Sequence, residues 1–182
     1  MYPKTDVMFC MIREILNTSD VTDTSRLHEI ISRVKSRAQS SLVSAGHSTA
    51  VLRAASYGSP MAAFQDTMAG IAYYQFIEKL DKEFEERKDE IIENLKSLMT
   101  EILRPENLSV SYTGERESLE TMQKQVRELK KTLHQEAVET SPAPMICEKK
   151  NEGFKTASKV QYVAKAGNFI DLGVAYTCRL YT

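Results

Sequence analysis

The chain has 182 residues, 42% hydrophobic and 27% charged, with a formal net charge of −1. That is the composition of an ordinary folded, soluble protein and excludes a disordered or fibrous one. The balanced charge gives no reason to expect nucleic acid or a membrane as a partner, and no apolar run approaches the about 20 residues of a membrane-spanning helix.

Residues 1–103 read as overwhelmingly helical. A first helix is expected over about 4–17, with Val7, Met8, Met11, Ile12 and Ile15 on one face. Asn17-Thr18-Ser19-Asp20 ends it, and the Thr/Asp/Ser-rich stretch at 22–25 offers N-caps for the next helix. In that second helix Leu27, Ile30, Ile31, Val34, Ala38, Leu42 and Ala45 recur at steps of three and four, with no break before Gly46. Tyr57-Gly58-Ser59-Pro60 is a strong breaker, and Pro60 suits the first turn of a new helix. Phe64, Met68, Ile71, Ala72, Phe76, Leu80 and Phe84 then keep the helical period, with Gly70 as a soft spot. The run 78–90 is a solvated, charge-paired face. Ile91, Ile92, Leu95, Leu98, Met99 and Ile102 follow it before Arg104-Pro105 ends the helix.

The signal then changes. In LSVSYTG (108–114), Leu108, Val110 and Tyr112 alternate with small polar residues, the period of a half-buried strand. A polar helix is expected over 115–137, its narrow stripe made by Leu119, Met122, Val126, Leu129 and Leu133. Residues 138–153, with Ser141-Pro142-Ala143-Pro144, read as a linker, 154–167 as a second strand, and the last residues as the start of a helix carrying Leu172, Ala175, Tyr176 and Leu180. Two lone strands cannot make a stable sheet, so the chain reads as a fragment of a larger fold.

Candidate sites are few. Gly46-His47-Ser48-Thr49-Ala50 spells most of a G-x-S-x-G nucleophile elbow, but Ala50 replaces the last glycine and the preceding segment has a helical period where the elbow needs a strand. A helix is therefore expected there, with Gly46 loosening it or permitting close packing. The three histidines, His28, His47 and His134, lie far apart; H-E-x-x-H fails at Ser32, and the inverted H-x-x-E-H fails at every histidine. No Walker loop or G-x-G-x-x-G occurs among the seven glycines. Cys10, Cys147 and Cys178 are odd in number and widely spaced, which fits a reducing compartment, and a cytoplasmic location is expected. Arg53 and Tyr57, one helical turn apart, could clamp a carboxylate or a peptide carbonyl. Packing and hydrogen bonding within the domain is the expected use of this pair, and Tyr73 and Tyr74 stand near it in sequence.

Three long blocks carry a resemblance: residues 44–87 (SAGHSTAVLRAASYGSP through EKLDKEFEER), 103–115 (LRPENLSVSYTGE) and 151–169 (NEGFKTASKVQYVAKAGNF). In that order they resemble the C-terminal half of presequence-protease-like zinc metallopeptidases of the insulinase/pitrilysin superfamily. The resemblance implies an α+β fold, helix-rich and partial, with helices packed on an antiparallel sheet most of whose strands lie outside this chain. It implies residues 1–114 as part of a third, non-catalytic domain, 115–150 as a linker helix and Pro-containing linker, and 151–182 as the truncated start of a fourth domain. It further implies a parent enzyme that degrades short unstructured peptides, its zinc held in the N-terminal half. This chain would add substrate-chamber wall but no catalytic, cofactor-binding or metal-binding residue, and alone would be inactive. The family's arginine–tyrosine pair would lie beyond Thr182, so Arg53 and Tyr57 are not that pair. Tyr176-Thr177-Cys178 departs from the family's Tyr-Thr-Gly, as a truncated or frameshifted reading frame would. The partners implied are the remainder of the same peptidase chain and, in the parent, peptide substrate. A stand-alone helical module that docks another protein is the alternative reading.

Overall fold

In the computed structural model, residues 4–136, 138, 143–156, 159–171, 173 and 174 are described. Seven α-helices occur among them: α1 (Thr5–Thr18), α2 (Thr24–Ser44), α3 (Gly46–Ser56), α4 (Pro60–Ala69), α5 (Ile71–Lys82), α6 (Phe84–Ile102) and α7 (Leu119–Lys131). Short 3-10 turns at Pro105–Asn107 and Arg116–Ser118 complete the regular structure. The chain divides into two compact units, one of residues 1–27 and 85–141, the other of 28–84 and 142–182.

Local chemistry sets the helix ends. The last carbonyls of α1 are met by Asn17, Thr18 and Ser19, whose side chains donate to the Arg13, Glu14 and Ile15 oxygens. Asp23 caps α2 by accepting from the Arg26 amide at 2.9 Å, as the cap-rich stretch at 22–25 foretells. Pro60 occupies the first turn of α4, and the Ser59 hydroxyl accepts from the Ala62 amide. After α6, the Asn107 amide group donates to the Glu101 and Ile102 carbonyls, closing the helix where Pro105 forbids its continuation.

In the unit of 1–27 and 85–141, α1 packs on α7, and Gln125 donates to Asp6 across that contact. Phe9, Ile91, Ile92, Leu129 and Leu133 are its buried apolar side chains. The expected face of α1 is therefore not the buried one: Phe9 is buried, while Val7, Met8, Met11 and Ile15 stay exposed. In the other unit, α3 packs on α4 and α4 on α5, with Ile31, Ala62, Ile71, Ile77 and Phe84 buried.

The α+β expectation fails. Among the described residues there is no strand, and the antiparallel sheet is absent. Residues 108–113 alternate in sequence, yet Val110 is exposed and no ladder partner lies alongside, so the backbone has nothing to pair with. The described residues of 154–167 run as coil, with Phe154, Val160, Tyr162 and Val163 exposed on what would be both faces of a strand. The expected 115–137 helix shortens to a 3-10 turn and α7. The terminal helix expected around Leu172, Ala175, Tyr176 and Leu180, and the Tyr176-Thr177-Cys178 departure, lie outside the described residues.

Two glycines mark helix breaks with different tolerances. A Cβ at Gly46 would approach the Tyr162 ring to 2.8 Å, the far part of a half-exposed side chain that can swing away. A Cβ at Gly70 would lie 2.2 Å from Asp66 Oδ1 and 2.9 Å from Asp66 Cα, which is backbone. Gly70→Ala is thus expected to cost about 2–3 kcal/mol and Gly46→Ala about 0.5 kcal/mol or less. Chemical denaturation of both variants tests this order, and an equal or reversed order would contradict the account.

Candidate functional site

The site assembles around Arg53. It stands on α3 one turn before Tyr57, and both side chains leave the same helix face, as their spacing requires. The Arg53 guanidinium is spent in two directions. Nη1 donates to Asp66 Oδ2 at 2.6 Å, while Nε and Nη2 donate to Glu152 Oε2 and Oε1 at 2.8 and 3.1 Å. The Tyr57 hydroxyl donates to the same Glu152 Oε2. Three donors thus converge on one carboxylate, the planar fork geometry that arginine suits and lysine does not. The guanidinium carbon also lies 5.6 Å from the centre of the Tyr57 ring and 5.8 Å from that of Phe154.

Asp66 fixes this arrangement from beneath. It is 2% exposed, yet its carboxylate is fully engaged. Oδ1 accepts from the Ile71 amide at 2.9 Å and Oδ2 from the Ala72 amide at 3.4 Å, while its own carbonyl accepts from the Gly70 amide. Glycine at 70 brings the start of α5 over the Asp66 side chain, so one carboxylate both caps α5 and holds Arg53.

The electrostatics follow from these contacts. Hydrogen bonds from Arg53 and then Tyr57 hold the Glu152 carboxyl below its usual pKa. The bond to Glu152, against the opposing pull of burial and with Asp66 adding to it, raises Arg53 above the ordinary arginine value. Burial first, then the bond to Glu152, raises Tyr57, so its proton stays on the hydroxyl.

A second polar cluster is built on Asp81. It accepts from Ser32 Oγ and Lys35 Nζ, His28 Nε2 lies 3.4 Å away, and the His28 ring stacks on Phe84 with centroids 4.4 Å apart and planes 9° apart. The Lys35 and Ser32 bonds hold Asp81 below the usual carboxylate range. In the unit of 1–27 and 85–141, Asp20, Thr22, Lys96, Thr100 and His134 border a shallow, open depression of about 280 Å³.

Ser48 lies exposed inside α3, with helix α2 rather than a strand before it, and His47 tilts over the Tyr162 ring at 6.0 Å. The GHSTA stretch is helical, as its context indicated. Arg53 and Tyr57 do clamp a carboxylate within the unit, whereas the Tyr74 hydroxyl turns to Glu78 at 2.6 Å. The residues described do not fit a zinc site. The one histidine beside a carboxylate, His28, shares Asp81 with an ammonium group, and no group of three or more His, Cys, Asp or Glu converges among the described residues. Asp66 and Glu152 were missed from sequence. The Asp66-x-x-x-Gly70 spacing at a helix break could have pointed to the first; Glu152, 99 residues from Arg53, has no local signal.

Residues 1–80 match the family described as associated with the peptidases of family M16, subfamily C. Presequence protease 1 of Arabidopsis thaliana, a chloroplastic and mitochondrial protein, is 24% identical over 178 residues, which cover 95% of this chain and 16% of that protein. The mitochondrial presequence protease of Yarrowia lipolytica is 32% identical over 94 residues, 51% of this chain and 10% of its own length. The chain is thus similar to the C-terminal region of presequence-protease-like M16 peptidases. Protein HypA of Clostridium perfringens is 30% identical over 174 residues, covering 96% of this chain and 18% of that protein. The chain therefore spans less than a fifth of the length of these relatives. No solved structure matches it. The Arg53 cluster is thus a feature of a presequence-protease-like segment that the structure shows folded around its own acidic residues.

Proposed function

We propose that this chain is a non-catalytic C-terminal segment of a zinc-dependent metallopeptidase that degrades short unstructured peptides, and that it forms part of the wall of the substrate chamber. Its near-complete alignment with a presequence protease, over 95% of the chain, carries this reading. In it, residues 1–114 belong to a third domain, 115–150 link, and 151–182 begin a fourth; the zinc belongs to the other half of the enzyme, and the cytoplasm is its place of action.

Exposed apolar side chains support a larger assembly. Val7, Met8, Met11 and Ile15 form an uncovered stripe on α1, and Met61, Phe64 and Met68 another on α4, with Met61 67% exposed. Stripes of this kind mark surfaces that other protein or peptide covers. Asp66 ties α4 to α3 and α5, and Asp81 ties α5 to α2, which suits wall and scaffold.

The test has two arms. The purified chain is expected to take up no stoichiometric zinc and to cleave no unstructured peptide. Chelator-sensitive cleavage that disappears when His28, His47 and His134 are all replaced would overturn the reading. Co-expressed with the zinc-bearing half of a presequence protease, the chain is expected to copurify with it, and Met11→Asp with Ile15→Asp is expected to abolish that association.

A further inference from the structure

The geometry points to Arg53 and Tyr57 as a binding site for the carboxylate of a peptide, filled in this structure by the chain's own Glu152, so that an incoming carboxylate displaces Glu152 and frees the segment 143–156. The source of that peptide rests on the peptidase reading; the site itself does not.

The receptor is complete without its ligand. Arg53 is anchored by Asp66, and Asp66 by the Ile71 and Ala72 amides, so α3, α4 and α5 hold the inner side of the guanidinium. Its outer edge, Nε and Nη2, and the Tyr57 hydroxyl then form three donors at fixed positions. Any carboxylate presents the same two acceptor oxygens. With Asp66 taking only Nη1, the outer edge still calls for a second anion.

The ligand, by contrast, comes from irregular chain. Residues 143–156 carry no helix or strand, and Lys149, Lys150, Asn151 and Gly153 around Glu152 are exposed. Space is open around Gly153, where an added Cβ would meet nothing within 4 Å. Phe154, at the guanidinium face, is the further contact this segment makes with Arg53. A tethered group of this kind competes at an effective concentration of about millimolar order. A free carboxylate therefore binds visibly once Glu152 is neutralised, and binds the unaltered chain only at higher concentration.

The experiment titrates the full chain and its E152Q variant with three probes: an acetylated, amidated tripeptide ending in glutamate, its glutamine counterpart, and an acetylated tripeptide with a free C-terminal carboxylate. The readout is the Arg53 Nε–H resonance. At least one carboxylate probe is expected to shift that signal saturably in E152Q, at about ten-fold lower concentration than in the unaltered chain. The glutamine probe should not shift it, and Y57F in the E152Q background, which keeps the signal but removes the third donor, should weaken the response. The carboxylate probe that binds more tightly identifies the source, side chain or chain terminus. A second measurement needs no variant: trypsin cleavage after Lys150 in the unaltered chain should accelerate with saturating probe. No carboxylate response in E152Q, equal responses in E152Q and the unaltered chain, or an unchanged cleavage rate would each overturn the proposal. None of these readouts involves peptide hydrolysis, so they stand apart from the test of the peptidase reading.

Discussion

Phe84→Ala is expected to destabilise the unit of residues 28–84 and 142–182 by about 3–5 kcal/mol, a large share of the stability of a small domain. Phe84 is 1% exposed, the most deeply buried large side chain among the described residues. It opens α6 directly after the Glu83 break at the end of α5. Its ring lies flat on His28, which in turn leans on Asp81, so truncation opens a cavity and also removes the surface on which the imidazole rests. The cavity dominates, because the stacking itself is worth only about 0.5–1.5 kcal/mol. Phe84→Leu keeps most of the volume and loses the stack, and should cost about 1–1.5 kcal/mol. Urea denaturation with hydrogen exchange on α2 and α5 separates the two terms. An alanine cost no greater than the leucine cost would mean that the site collapses without a cavity.

The position of Phe84 also shows how far the sequence could be read. Its place in an apolar stripe from Phe64 to Phe84 was visible, and so were the cap-rich start at 22–25 and the breaks at Ser59-Pro60 and Arg104-Pro105, because caps and prolines act through their nearest neighbours. The stripe was not one face, however. Helices α4 and α5 break at Gly70, and α6 starts afresh at Phe84, so the helical phase resets twice. Phe64, Met68 and Phe76 end exposed while Ile77, outside the stripe, is buried. A period of 3.6 residues predicts a shared face only along an unbroken helix. The strands failed for a related reason. Alternation at Leu108, Val110 and Tyr112 describes a surface that a strand could use, but a strand exists only when another backbone pairs with it. At the site, Arg53 and Tyr57 were legible as a pair because they are one turn apart. Their ligand was not, because nothing in residues 138–153, read as a linker, marks Glu152 as the residue that returns to α3.

Arg53→Met is expected to cost about 3–5 kcal/mol, since it leaves the buried Asp66 carboxylate with two backbone amides and no counter-ion. Asp66→Ala removes the cap of α5, worth about 1 kcal/mol, and the inner partner of Arg53. Arg53 keeps Glu152 in that variant, so the total should be smaller, about 2–3 kcal/mol. The double variant should then cost less than the sum by about 1–3 kcal/mol, the signature of two groups that stabilise each other. Strict additivity would show that Arg53 is held by Glu152 and its rings alone. Acidification offers an independent check with a definite sign. Glu152 has a depressed pKa in the folded chain, so its contribution is fully present above its unfolded pKa and is lost as pH falls through the folded value. Arg53 is the first cause of that depression. Between about pH 5 and pH 3 the unaltered chain should therefore lose stability more steeply than Arg53→Met, in which the largest cause of that depression is gone and the bond from Tyr57 remains. Parallel acid limbs in the two proteins would mean that the carboxylate of Glu152 is not held by Arg53 in solution.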